Sequence, residues 1–250
     1  MPLSPQTTNL LRKYADLYET PDFLKGDPSW FMHQVRGAEN QEAIAFIASC
    51  LSYGSRKQFL PKIQLFLDWS GGDIHSWVAS GTFCEHFQTD DDTSFYRLYP
   101  HALMHKFLEI YRRLLADYGT LGKFVQDNAS DAYEAIGAIC SYFSSGNVSP
   151  VIPVDARSAC KRVCMFLRWM VREGSPVDLG LWSSFIDRRS LIMPLDTHVL
   201  SQSQRLGLLS SKTASMHTAI KLTHTLAEVF PEDPLRGDFA LFGYGVNNAD

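Results

Sequence analysis

Apolar residues recur at helical spacing along most of this chain, whereas the alternation typical of half-buried strands is scarce. The clearest example runs from Pro100 to Tyr118 and is stopped by Gly119. Further segments with helix-forming patterns are 41–51, 56–69, 131–143 and 212–230. Because apolar residues three to four positions apart share one helix face, the sequence predicts an all-α protein.

The 250 residues are 45% hydrophobic, which is enough to bury a substantial core. No linker is long enough to separate independent domains, so we expect one domain over residues 1–250. Its two lobes should be interleaved in sequence, with a ligand cleft between them. The sequence contains no run of about 18 apolar residues, the length that a membrane-spanning helix needs. The first residues also lack the pattern of a signal peptide, and we therefore expect a cytoplasmic protein.

Charge and cysteine content narrow the possible functions. The net charge of −4 disfavours a large basic surface, although residues 150–205 carry eight basic and five acidic side chains. The five cysteines are scattered without a CxxC pair, which argues against a disulfide framework or a zinc ribbon. His101 and His105 have zinc-ligand spacing but lack an evident third ligand. The run Asp90 to Asp92 lacks the calcium-loop pattern, so we expect no metal and no cofactor.

The segment after Ser158 predicts a helix with a reactive amine near its start. Ser158 is a plausible N-cap, and the helix should run to about Glu173. Apolar residues cluster on one face, while the opposite face is cationic and carries Lys161, Arg168 and Arg172. A lysine on such a face is also compatible with an ordinary solvated side chain.

Asp196 stands where a second helix should begin, after Pro194 and before a helical segment that Gly207 ends. An aspartate in this place predicts an N-cap, whose carboxylate accepts backbone N–H groups. Many such residues only cap, but the helix end also keeps the carboxylate ionised and fixes its direction. A lysine amine folded against such a carboxylate suits an enzyme that attacks a sugar carbon and forms a Schiff base.

Several segments resemble a known superfamily. The stretch from Pro194-Leu-Asp-Thr-His-Val through Arg205-Leu-Gly-Leu resembles the signature of the helix-hairpin-helix (HhH-GPD) DNA glycosylases. The Lys161 helix and the tail Asp238-Phe-Ala-Leu-Phe-Gly-Tyr-Gly-Val resemble the archaeal-type 8-oxoguanine DNA glycosylases. Phe95-Tyr-Arg-Leu-Tyr and Ala116-Asp-Tyr-Gly-Thr-Leu resemble the DUF2400-type family, usually placed in the same superfamily. The likeness covers roughly residues 40 to 247.

This resemblance implies a two-lobed HhH-GPD fold and a DNA N-glycosylase with AP-lyase activity. Lys161 matches the nucleophile and Asp196 the catalytic aspartate of those enzymes. The implied substrate is double-stranded DNA with a damaged purine such as 8-oxoguanine, flipped out of the duplex. We expect the protein to act as a monomer.

Further site residues follow from the same resemblance and from their positions. Expected DNA contacts are Arg157, Ser158, Arg162, Arg168 and His198. Candidates to stack on the flipped base are Trp169, Trp182, Phe239 and Tyr244.

The resemblance also fails at two features. The glycine-rich hairpin that precedes the lysine is replaced by Val151-Ile-Pro-Val-Asp-Ala-Arg-Ser-Ala-Cys, and the four-cysteine iron–sulfur cluster is absent. Without those glycines, the phosphate contact falls to Arg157, Ser158 or the helix start. Two alternatives remain open: a nucleic-acid-binding protein that has lost base excision, and a helical scaffold with an ordinary Lys161–Asp196 salt bridge.

Overall fold

The computed structural model describes residues 3–248, and it confirms the all-α prediction. Within those residues the chain forms eleven α-helices, short 3-10 turns and one two-stranded hairpin. No helix in this part of the chain has both the length and the apolar content needed to cross a bilayer. The chain divides into two compact units, each built from segments that are not contiguous in sequence.

The first unit comprises residues up to Lys25, Asp131–Ile136 and the chain from Ala156 onward. Its helices are α1 (Pro5–Tyr18), the first turn of α7 (Ala132–Ser144), α8 (Lys161–Val171), α9 (Thr197–Arg205), α10 (Met216–Ala227) and α11 (Arg236–Asn247).

The second unit comprises Gly26–Ser130 and Gly137–Asp155. It contains α2 (Ala38–Leu51), α3 (Arg56–Ser70), α4 (Ile74–Ala79), β1 (Ser94–Tyr96), β2 (Tyr99–Pro100), α5 (His101–Tyr118), α6 (Leu121–Asn128) and the rest of α7. The short antiparallel pair β1–β2 is not predicted by the sequence pattern.

Local signals end the helices where the sequence predicts. Gly71 closes α3 in the left-handed conformation, with φ of 60°, and Gly119 closes α5 with φ of 81°. The segment predicted at 212–230 is shorter, because Ser215 accepts the Thr218 N–H and starts α10 at Met216.

In the second unit, a buried carboxylate fixes one helix start among aromatic side chains. The Glu42 oxygens accept the N–H groups of Leu121 at 2.8 Å and Gly122 at 2.9 Å, where α6 begins. These bonds satisfy donors that have no partner within the helix. Around them, Phe46 packs with Tyr111 at 5.1 Å and Phe143 at 5.4 Å between ring centroids. The carboxylate therefore fixes α6 relative to the α2 core.

In the first unit, α1 packs along α11 at close range. A β-carbon on Gly243 would collide with the ring of Tyr18, so a glycine is required for this approach. Phe23 follows α1 and places its ring 4.9 Å from Phe239 and 5.0 Å from Phe242. The N-terminal segment is thus part of the core of this unit.

Arg172 lies at the C-terminal end of α8 and gathers three carboxylates inside the first unit. Its guanidinium bonds Asp233 at 2.7 Å and Glu19 at 2.6 Å, and it also pairs with Asp178. The Arg172 side chain is almost fully buried. A buried guanidinium is tolerated only when its donors are satisfied, so these contacts form one interdependent set.

Replacing Arg172 should therefore cost much of the stability of this unit. We expect Arg172→Met to lower the free energy of unfolding by about 3–5 kcal/mol, because it takes the guanidinium from Asp233 and leaves Glu19 and Asp178 with only their second arginine. Urea denaturation followed by circular dichroism measures the change. Arg189→Gln, which breaks the exposed Arg189–Asp187 pair, should barely move the midpoint. Equal shifts for both variants would contradict the assignment of Arg172 as a hub.

Glu19 predicts a pH dependence for the same set of contacts. Burial alone would raise its pKa, but Arg172 and hydrogen bonds from Arg172 and Arg236 outweigh burial and lower the pKa below the ordinary 4.5. Since the folded-state pKa is the lower one, the stabilisation is complete above about pH 4.5 and is lost as the pH falls further. Glu19→Gln should be less stable than wild type at pH 7 and lose less stability upon acidification.

Thermal unfolding from pH 7 to pH 3 tests this expectation. Glu228→Gln, a change at the exposed glutamate that follows α10, is the matched control and should follow wild type. A Glu19→Gln curve parallel to wild type over the acid range would refute the role given to this carboxylate.

Candidate active site

Asp196 begins α9, as the sequence predicts. Its Oδ1 accepts the N–H groups of His198 and Val199, both at 2.9 Å, while its backbone is extended. Two charge-assisted bonds to a helix N-terminus hold the carboxylate in one orientation. The second oxygen, Oδ2, points to Lys161. One residue thus caps a helix and presents a carboxylate oxygen to a lysine.

The helix that carries Lys161 starts later than predicted. The N-cap is Cys160 rather than Ser158, and α8 ends at Val171 rather than near Glu173. Cys160 adopts the left-handed conformation, with φ of 44° and ψ of 36°. A residue other than glycine rarely takes this backbone conformation, which costs on the order of 1–3 kcal/mol. Such strain is a feature of functional sites, and it lies next to Lys161.

The loop before α8 is held against the start of α10. Ser158 pairs with Ser215 as an isolated bridge, and the N–H of Met216 donates to the Arg157 carbonyl at 3.4 Å. Cys160 and Cys164 are both buried, and burial raises the pKa of the Cys164 thiol. This loop therefore has defined tertiary contacts, which fix where Lys161 enters the helix.

Lys161 and Asp196 face one another at the surface of the first unit. The distance from Nζ to Oδ2 is 3.8 Å, and the side chains are 31% and 36% exposed. This separation is long for a hydrogen bond but lies within ion-pair range. Both groups are therefore in contact with solvent. The predicted pairing of amine and carboxylate is present.

A second carboxylate, Asp238, stands at the start of α11 close enough to Lys161 and Asp196 to interact electrostatically with them. Burial raises the pKa of Asp238, Asp196 raises it further, and the charges of Arg168 and Lys161 oppose the rise. Arg168 also donates a hydrogen bond to Asp238. In the sequence, Asp238 is recognisable only as part of the tail segment, because no pattern of spacing links it to Lys161.

The structure corrects the prediction that Arg168 contacts DNA from an exposed cationic face. Its side chain is only 4% exposed and lies between Asp178 and Asp238. Its guanidinium carbon also lies 4.8 Å from the centre of the Phe239 ring. The same burial applies to Arg172. Helical periodicity identified the cationic face, but the carboxylates that cover it come from distant segments.

The remaining predicted DNA contacts surround the start of α8 and α9. Arg157, Ser158 and His198 are exposed, and Arg162 is half-buried. Arg157, Ser158 and Arg162 lie within four residues of Lys161 in sequence. His198 lies two positions after Asp196. Their roles as DNA contacts stay predictions.

The predicted base-stacking rings are mostly core side chains. Trp169, Trp182 and Phe239 are buried, which corrects the expectation that they offer a face to a flipped base. Trp182 packs on Phe166 at 5.2 Å between ring centroids. Tyr244 is half-buried and remains a candidate.

The side chains considered above as metal ligands make ordinary hydrogen bonds. His101 Nδ1 lies 3.1 Å from the His86 carbonyl, and His105 Nδ1 lies 2.8 Å from that of Phe87. Asp91 accepts the Thr93 N–H at 2.9 Å, in the loop that leads into β1. Among residues 3–248, no group of three or more potential ligand side chains could hold a metal ion.

Comparison with known proteins identifies the family of this chain. Neither the curated proteins nor the solved structures contain a significant match. A family model described as "Protein of unknown function (DUF2400)" matches residues 27–247. This range includes Lys161, Asp196, Asp238 and the hairpin β1–β2. The match spans most of the 250 residues, and the chain therefore belongs to the DUF2400 family.

Proposed function

We propose that this protein is a DNA base-excision glycosylase with AP-lyase activity, acting on a damaged purine such as 8-oxoguanine in double-stranded DNA. The observation that carries the proposal is the solvent-accessible pair Lys161–Asp196, with 3.8 Å between Nζ and Oδ2. An amine and a carboxylate so placed are what Schiff-base chemistry on a sugar requires. The likeness of the surrounding segments to HhH-GPD glycosylases supports the same reading.

Each step of this chemistry has a group to perform it. As the glycosidic bond breaks, positive charge develops on the deoxyribose, and Asp196 stabilises that charge. Lys161 Nζ, once its ammonium has lost a proton to solvent, bonds to C1′ as the base leaves with the electron pair and takes up a proton. The nitrogen of the new C–N bond then gives a proton to Asp196, directly or through a water. The C1′–O4′ bond breaks, O4′ takes up a proton, and the sugar opens to an imine. Loss of a C2′ proton expels the 3′ phosphate with the C3′–O electrons.

The helix cap suits Asp196 to this role. Two backbone N–H groups bind Oδ1 and hold it in place, while Oδ2 stays directed at the lysine. A group that is already oriented loses little reorganisation energy when the transition state forms. Arg157, Ser158 and Arg162 are proposed to hold the flanking phosphates in place of the glycine-rich hairpin.

A second candidate function is nucleic-acid binding without base excision. The burial of Trp169, Trp182 and Phe239 favours it, because these rings offer no stacking face to an extruded base. In this alternative, Lys161 and Asp196 form only an ion pair. Covalent trapping distinguishes the two functions, since binding alone leaves no reducible imine.

Borohydride trapping should capture the wild-type protein on DNA. Incubated with a duplex that contains an abasic site or 8-oxoguanine, wild type should form a crosslink that survives denaturing electrophoresis. Lys161→Gln should form none, because it lacks the amine that makes the imine. Lys221→Gln, a change at an exposed lysine of α10, should trap as wild type does. Trapping by Lys161→Gln, or its absence in wild type with both substrates, would overturn the proposal.

Substitutions of Asp196 separate capping from chemistry. Asp196→Asn retains an oxygen that accepts the helix N–H groups, so its stability should stay close to wild type. Asp196→Ala should lose about 0.5–2 kcal/mol of unfolding free energy. Both variants should lose about 10²-fold or more in the single-turnover excision rate, because both lack the charge. If Asp196→Asn excises at the wild-type rate, the carboxylate serves only as a cap.

A further inference from the structure

The hairpin β1–β2 in the second unit exposes an apolar side chain at its tip. Leu98 is 72% exposed, the highest value among the exposed large hydrophobic residues of the described chain. Its neighbours Tyr96 and Tyr99 are buried. Leu98 contributes little to the core, and its position at the tip of the turn leaves it available for a contact outside the unit.

The tip is held firmly by the residues around it. Tyr96 donates its hydroxyl to the Tyr53 carbonyl, and Tyr99 donates to the Pro150 carbonyl at 2.9 Å. Ser94 Oγ donates to the Arg97 carbonyl at 2.9 Å across the turn. These bonds place Leu98 on a braced hairpin, which limits the conformational entropy lost when it binds a partner.

Cationic side chains surround this tip. Arg97 lies with its guanidinium carbon 4.9 Å from the centre of the Tyr53 ring, and Gly54 next to it leaves room only for the Arg97 side chain. Lys57 is exposed on the first turn of α3, three residues after Gly54. Lys62 Nζ lies 4.7 Å from the centre of the ring of Phe95 in β1. We call Lys57, Lys62, Arg97 and Leu98 the hairpin-tip surface.

Few carboxylates oppose these charges. Asp27 pairs with Arg56 at 3.2 Å and is largely buried. Asp90, Asp91 and Asp92 precede β1 at the other end of the hairpin. The hairpin-tip surface thus carries three cationic side chains on a protein whose net charge is −4.

We propose that the hairpin-tip surface binds a nucleic-acid backbone, with Lys57, Lys62 and Arg97 on phosphates and Leu98 against the sugars or bases. Cations pair with phosphates, and an apolar side chain at a rigid tip can insert between base steps. The choice of nucleic acid over an acidic protein rests on the proposed function. The charges and the exposed leucine do not depend on it.

Binding to an undamaged fluorescent duplex, measured by anisotropy across salt concentrations, tests the surface. Lys57→Gln should weaken binding and reduce the slope of log Kd against log salt by about 1, because one phosphate contact is lost. Leu98→Ala should weaken binding about fivefold or more without changing the slope, because the side chain is uncharged. Lys106→Gln, at an exposed lysine of the same unit, and Leu17→Ala, at an exposed leucine of α1, are the controls.

Several outcomes would overturn the inference. The first is an equal loss of DNA binding in the hairpin-tip and control variants. The second is competition by polyglutamate that displaces the duplex as strongly as unlabelled DNA does. The third is self-association of wild type, measured by sedimentation, that Leu98→Ala abolishes. If wild type is trapped on DNA but the hairpin-tip variants bind DNA as wild type does, the hairpin-tip surface is not a binding site and the proposed function stands. If the hairpin-tip variants lose binding but wild type is not trapped, the surface binds DNA and the proposed function is wrong.

Discussion

The buried guanidinium of Arg172 is the interaction on which the first unit depends. It joins the end of α8 to Glu19 after α1, to Asp178 in the loop beyond α8 and to Asp233 before α11. Arg168, one turn earlier, adds Asp238 at the start of α11. Because a charge in the interior requires its partners, these contacts fix α8 against its neighbours. Lys161, at the opposite end of α8, takes its position from that arrangement.

The features that local chemistry determines were predictable from sequence. Gly71 and Gly119 end helices because they take left-handed backbone conformations, and Asp196 starts one because its side chain accepts backbone donors. Each signal lies within a few residues of its effect. The pairing of Lys161 with Asp196 came instead from a resemblance, because no spacing rule brings residues 35 positions apart into contact.

Other features depended on partners far along the chain. The cationic face of α8 has the pattern of a solvated surface, yet Asp178, Asp233, Asp238 and Glu19 enclose its two arginines. Aromatic residues in α8 and α11 are compatible with either a core or a base pocket, and burial places them in the core. The left-handed Cys160 was hidden for a related reason, since its conformation is imposed by the contacts of the loop rather than favoured by a cysteine.

The place of Glu19 bears on where this protein should be divided. The family match begins at residue 27, after α1 and Glu19. Yet Tyr18 and Phe23 contact α11, and Glu19 is a counter-ion for Arg172 and Arg236. A sequence-defined domain boundary at residue 27 would thus cut through a cooperative folding unit. The smallest autonomous fragment of the lysine-bearing half must retain its N-terminal helix, although the family's shared sequence does not extend to it.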